Sequence, residues 1–311
     1  MEFDITNALD VHYVKLHFTI LFPEDSKLPV HKASAIRGGM GEMLLRANCI
    51  RDRKCEACDF KTECIVQRTM YSQFDVKPDF ITSGESIGYV VECENYEEYF
   101  QAGETLKFNL ILFGKNIVYL NQYLQALFAL GQSGLGKGHC LFVITEVRNT
   151  RQQPILDGTN VYMKYYQVER LLDYVTYRKK KIEEHGLENG IYFHTPLTQK
   201  YQGEFLQEFQ MDAIIKSVQR RLYMLNCFEG KHLDEIYDKQ LETPKILWQE
   251  PRYIQVKRYS NRQDSPMQLK GIKGKIQLEE IPNELLDLLL AGELIHIGKN
   301  TSFGFGRYTL D

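Results

Sequence analysis

Gly298 to Tyr308 reads GKNTSFGFGRY, a glycine-rich loop between an apolar helical run, Leu285 to Ala291, and a short terminal strand. Glycine lets backbone approach a ligand or another chain where a Cβ would collide, so Gly298, Gly304 and Gly306 imply close packing or close contact. A nucleotide-binding P-loop follows a strand, opens a helix and ends in Gly-Lys-Ser/Thr. Here the order is helix, loop, strand, which excludes an NTPase site of that kind.

A second loop of the same design lies mid-chain. Gly131 to His139, GQSGLGKGH, follows an amphipathic run with Ile117, Leu120, Leu124, Leu127 and Phe128 at helical spacing, and precedes the apolar strand Cys140 to Val147. Two copies of helix, glycine loop and strand point to a duplicated domain.

Working outward, Val14, Leu16, Phe18, Ile20 and Phe22 alternate with Tyr13, Lys15, His17 and Thr19, the pattern of a half-buried strand. A helix is expected from about Lys32 to Ala47, on the stripe Ile36, Met40, Met43, Leu44 and Ala47, with strands at Ser86 to Cys93 and Leu106 to Phe113. The order β-α-β-β-α-β is the ferredoxin-like arrangement. The second half repeats it: a strand at Ile191 to His194, a long amphipathic helix carrying Phe205, Phe209, Ile214, Val218 and Leu225, strands at Tyr253 to Tyr259 and Gln268 to Leu278, and a helix from Pro282 to Ala291. The expected fold class is α+β, with tandem ferredoxin-like domains at 1–150 and 189–311 and a connection at 151–188. The run RKKK, Arg178 to Lys181, opens a polar stretch through Gly190 that is the linker candidate.

Cys49, Cys55, Cys58 and Cys64 fall in CIRDRKCEACDFKTEC, within an insertion near 48–70. Four thiols at that spacing, two of them as Cys-x-x-Cys, suit a tetrahedral structural zinc site; unliganded cysteines are the plainer reading. Four protein ligands leave no open coordination position, so such a zinc would fold the insertion and do no chemistry.

At 311 residues and 43% hydrophobic composition the chain can build two modest cores. Met1 to Leu9 carries acids and no apolar core, and no apolar run approaches membrane-spanning length, so a cytoplasmic protein is expected. The net charge of −3 argues against indiscriminate coating of nucleic acid, which needs a predominantly basic surface. Charge is uneven, though: Arg252 to Lys275 holds seven Lys and Arg against one acid, Asp264. That stretch is either a basic binding face or a solvated strand pair.

RYSNRQ at Arg258 to Gln263, LKGIKGKI at Leu269 to Ile276 and HIGKNTSFGFGRY at His296 to Tyr308 together resemble the CRISPR-associated repeat-processing endoribonucleases, the sixth Cas family of the RAMP superfamily. IRGGMGEMLLRANC at Ile36 to Cys49, the cysteine cluster and GLGKGH at Gly134 to His139 resemble its zinc-bearing branch. At His194 to Lys200, HTPLTQK, that family tends to carry a basic residue where Thr198 or Gln199 stands.

The resemblance implies tandem domains that bind CRISPR repeat RNA and cut it once without a catalytic metal, with other Cas effector subunits as further partners. The 2′-hydroxyl would attack the adjacent phosphate, leaving a 2′,3′-cyclic phosphate and a 5′-hydroxyl. That chemistry needs a base, an acid and positive charge over the phosphate. His31 matches the family's general acid/base position at the start of the first helix, with Lys32 and Arg37 near enough in sequence to reach the same phosphate; a surface histidine in a turn is the plainer alternative. Arg258, Arg262, Lys273, Lys299, Ser302 and Arg307 are the expected RNA contacts. A related RAMP protein that holds crRNA without cutting it is the competing reading.

Overall fold

The computed structural model describes residues 5–75, 77, 78, 80, 86–260 and 265–311, with backbone alone at 258–260, 265 and 266. The first half comprises β1 (His12–Leu21), α1 (Lys32–Asn48), β2 (Tyr89–Glu92), β3 (Thr105–Phe113), α2 (Leu120–Ser133) and β4 (Val143–Arg148). Its antiparallel sheet runs β2-β3-β1-β4, extended past β4 by the hairpin strands Pro154–Asp157 and Asn160–Val161. The alternation along β1 does what its period dictates: Val14, Leu16, Phe18 and Ile20 are buried in one core with α1 and α2, where Phe18 stacks on Phe108 at 4.8 Å.

Next comes α3 (Leu171–His185), and then the second copy: β5 (Gly190–Leu197), α4 (Met211–Phe228), β6 (Ile246–Ser260), β7 (Ser265–Leu278), α5 (Asn283–Ile295) and β8 (Tyr308–Leu310). Its sheet order, β6-β7-β5-β8, is the same as that of the first copy. The duplication expected from the two glycine loops is therefore a duplication of fold.

Two expectations about local structure change. The RKKK run is not an extended linker but part of α3, because Arg178 has a buried partner: its Nε and Nη2 donate to the Glu293 carboxylate at 2.7 and 3.0 Å, and Nη2 also donates to the Leu310 carbonyl at 2.8 Å. The long helix starts at Met211, not near Phe205; Phe205 lies in a two-strand ribbon and is exposed.

The halves share a core. Tyr13, Val90, Ile111 and Phe113 cover one face of the first sheet and pack with α3 and α4 residues such as Leu171, Val175, Ile214 and Leu222. Truncating one such aromatic to alanine costs ~3–5 kcal/mol, so the halves are held in a fixed relation by more than a tether.

Beside this core lies a buried ionic bolt. His296, at the end of α5, is fully buried; its Nδ1 lies 3.0 Å from the Phe305 carbonyl oxygen and its Nε2 2.9 Å from Glu92 Oε1. Each ring nitrogen thus faces an oxygen acceptor, one a carbonyl and the other a carboxylate. Lys15 Nζ, 2.8 Å from Glu92 Oε2, and the Asn109 amide at 2.7 Å complete the set. Burial alone would raise the Glu92 pKa, but Lys15, His296 and Arg307 together hold it well below 4.5.

Candidate nucleic-acid interface and catalytic cleft

A cleft of about 2840 Å³ is walled by α1 and the first glycine loop on one side, and by α4 and residues 298–303 on the other. Among the described residues its lining carries thirteen Lys and Arg against five Asp and Glu, in a protein whose net charge is −3. Positive charge is therefore concentrated where the halves meet, the pattern expected for an anionic polymer. The volume far exceeds what one nucleotide fills.

His31 sits at its edge, immediately before α1. It is the helix N-cap residue, yet its side chain makes no cap hydrogen bond, and among the described residues the ring has no hydrogen-bond partner. The ring meets Tyr96 edge-on at 5.7 Å, while the Lys273 ammonium lies 5.5 Å from the centre of the same tyrosine ring. Burial, then the neighbouring Lys32 and Lys273 charges, lower the His31 pKa from 6.5, so the neutral imidazole, the form that can accept a proton, prevails at neutral pH.

Arg37 lies farther along α1 on the same cleft. Its guanidinium packs over the Phe303 ring at 4.8 Å, Nη2 donates to Ser86 Oγ at 3.1 Å, and Nε is buried without a hydrogen-bond partner. The second glycine loop thus supports Arg37 through Phe303, leaving part of the guanidinium's donor capacity unused.

Lys32 is a different case. It is fully buried away from the cleft lining, and its ammonium donates to the carbonyls of Asn95, at 3.1 Å, and Glu97. Buried charges need such acceptors, and once satisfied by them Lys32 orders the 93–98 segment that carries Tyr96. Tyr96 was hidden from sequence reasoning because it stands in the acidic run Glu92 to Glu98, which reads as solvated surface. Its aromatic contact with His31 appears only in three dimensions.

The expected RNA contacts divide likewise. Lys273 is drawn to His31 through Tyr96, and Lys299 is exposed on the cleft wall, 5.9 Å from the Phe205 ring centre. Ser302 lines the cleft but is 95% buried. Arg307 faces a smaller recess beside His31 and pairs with Glu94 and, at 3.8 Å, with Glu92. Arg258 lies on β6 with only its backbone described, and Arg262 lies outside the described residues.

Most of the second glycine loop is interior. Thr301, Ser302, Gly304, Phe305 and Gly306 are buried, and a Cβ on Gly304 would stand 2.6 Å from the Val91 carbonyl oxygen of the first half. Close packing, one of the two meanings glycine carried in the sequence, is the one realised there.

The cysteines lie on a peninsula: Cys49 ends α1, Cys55 opens a single 3-10 turn that Cys58 closes, and Cys64 precedes the helix Ile65–Met70. Between residues 49 and 64 these four are the positions that are not exposed. Among the described residues, no three His, Cys, Asp or Glu side chains are gathered closely enough to hold an ion. Four thiolates are a donor set for a thiophilic ion, but their positions do not enclose one.

Comparison with known proteins agrees with this arrangement. Residues 9–171 match the AF_1859 N-terminal domain, and residues 191–308 match the CRISPR-associated endoribonuclease Cas6. An uncharacterized protein of Archaeoglobus fulgidus is 22% identical over 307 residues, covering 97% of this chain and 99% of that protein. Among solved structures, a Cas6 (TTHA0078) product complex aligns with a TM-score of 0.51 at 16% identity over 96% of this chain and 99% of that one. A partial Cas6-RT-Cas1–Cas2 complex aligns with a TM-score of 0.56 at 12% identity over 97% of this chain, which spans 46% of the longer chain there. Residues 191–308, the second of two ferredoxin-like copies that flank a basic cleft, are thus matched as a CRISPR-associated Cas6 endoribonuclease domain.

Proposed function

We propose that this protein binds CRISPR repeat RNA in the cleft between its halves and cuts it by internal transesterification, without a catalytic metal. The observation that carries this reading is His31: a lowered pKa and an uncommitted ring at the edge of a basic cleft. The neutral imidazole accepts the proton of the 2′-hydroxyl, the 2′-oxygen bonds to phosphorus, and the bond to the 5′-oxygen breaks as that oxygen takes up a proton. One RNA end is then a 2′,3′-cyclic phosphate and the other a 5′-hydroxyl. Arg37 supplies positive charge over the crowded phosphate, and Lys273 holds the strand near His31.

The test is incubation of purified protein with transcript of the host's own repeat in excess EDTA, with end-group analysis of the products. Cleavage to the two ends above supports the reading. The sequestration of Lys32 favours a second reading, because it removes an expected partner of His31. In it the protein holds crRNA for other Cas effector subunits, and it would show binding with no cleavage.

For the peninsula we propose a structural zinc ion held by Cys49, Cys55, Cys58 and Cys64. The support is that these four cysteines are the half-buried residues of an otherwise exposed segment with no apolar core of its own. One zinc per chain by elemental analysis, released with loss of local protease resistance on chelation, is the expected result; a metal-free peninsula equally resistant to protease overturns it.

A further inference from the structure

The two glycine loops occupy equivalent places in the two copies of the fold, but only one is open. In the second loop the backbone donors are used internally: Lys299 N–H donates to the Thr198 carbonyl at 2.7 Å, Gly304 N–H to Thr301 at 2.8 Å and Gly306 N–H to Pro196 at 3.0 Å. In the first, Leu135 and Cys140 exchange backbone hydrogen bonds at 2.8 and 3.1 Å and close a four-residue turn, Gly136 to His139. All four turn residues are exposed and line the basic cleft. Among the described residues the N–H groups of Gly136 and Gly138 have no acceptor.

The turn is also firmly seated. Cys140 Sγ donates to the Lys27 carbonyl at 3.3 Å, and His139 Nδ1 meets the Ser133 carbonyl at 3.3 Å. A Cβ on Gly136 would stand 3.4 Å from Pro29, two residues before His31. A rigid turn with unspent N–H donors, a lysine at its tip and a place beside the segment that delivers His31 suits a phosphodiester, whose oxygens accept several donors at once.

We propose that Gly136 to His139 is a backbone-phosphate clamp for the RNA, a second anchor on the first-half wall of the cleft. This rests on reading that cleft as the RNA site. Gly136 and Gly138 give N–H donors to one phosphate, and Lys137 neutralises it. With no donor set aimed at a base edge, the clamp is indifferent to sequence and fixes only the register of the strand against His31.

The experiment measures binding of full-length protein to labelled transcript of the host repeat across a salt series, for Lys137→Ala, Lys137→Glu and Lys137→Arg. Loss of one phosphate contact from a single strand should flatten the log K against log salt slope by about 0.7. Lys137→Ala should weaken binding roughly 5-fold to 20-fold near physiological salt, Lys137→Glu further, and Lys137→Arg should restore the slope. The loss should be the same for a polyuridylate of equal length. Slopes and affinities equal to wild type in all three variants overturn the clamp while leaving the RNA reading in place. A loss seen with repeat RNA and absent with polyuridylate overturns its indifference to sequence, and a wild-type protein that binds neither RNA overturns both.

Discussion

The first and second glycine loops began as one design and ended with opposite surroundings. Gly131 to His139 closes its own copy of the fold and keeps its tip in solvent, whereas Gly298 to Tyr308 is folded into the junction, against Val91 and α1. The difference lies outside the loops. His296 precedes the second loop and enters a pocket where Glu92, Lys15 and Asn109 of the first half await it, while Gly136 and Gly138 of the first loop lie beside Pro29 and Lys27. A duplicated motif thus yields one element for joining the halves and one for meeting a ligand.

The largest effect should come from breaking the bolt. Glu92→Leu leaves the buried His296 and the half-buried Lys15 without their shared carboxylate, and should cost ~3–5 kcal/mol in urea unfolding. His296→Ala should cost a similar amount, and the double variant clearly less than the sum, since both remove one interaction. The pH dependence has a definite sign. Because the folded-state pKa of Glu92 lies well below its unfolded value, its contribution is full above pH 4.5 and declines as pH falls toward the folded value. Flat stability between pH 6 and pH 3 in wild-type protein would contradict the assignment of a buried carboxylate.

Next in size is His31→Ala, which should slow single-turnover cleavage by ~10²-fold or more while RNA affinity changes little. With its pKa lowered by burial and by Lys32 and Lys273, His31 should place the acid limb of the wild-type rate profile below pH 6.5. Tyr96→Phe, which keeps the ring beside His31, should hold that limb in place, and Lys273→Ala should move it upward by removing a nearby positive charge. A limb that stays fixed in Lys273→Ala would separate the measured group from His31.

Much of this fold could be read in the sequence because its signals are local and periodic. The alternation of β1, the stripe of α1 and the repeated helix-loop-strand each depend on neighbours a few positions apart, and each survived with boundaries shifted by a few residues. The site was less legible because its residues meet across long intervals. Glu92 and His296 lie 204 positions apart and look like one charge in an acidic run and one histidine before a loop. Lys32 reads as a phosphate ligand beside His31 until the 93–98 carbonyls are brought over it. Arg178 reads as linker until Glu293 accepts it.

The smallest effects distinguish the loops themselves. Gly304 and Gly136 both have positive φ, +79° and +73°, so alanine at either is strained by ~1 kcal/mol before any contact is considered. At Gly304 the added Cβ also meets backbone at 2.6 Å, which cannot move without parting the halves, and Gly304→Ala should cost about 3 kcal/mol in urea unfolding. At Gly136 the neighbour is the edge of Pro29 at 3.4 Å, a gap that needs little or no adjustment, so Gly136→Ala should cost only about 1 kcal/mol. Equal costs would mean that the second loop is no more committed to the junction than the first is to its own hairpin. A larger cost at Gly136 would reverse the division of labour, making the exposed turn the structural member of the pair.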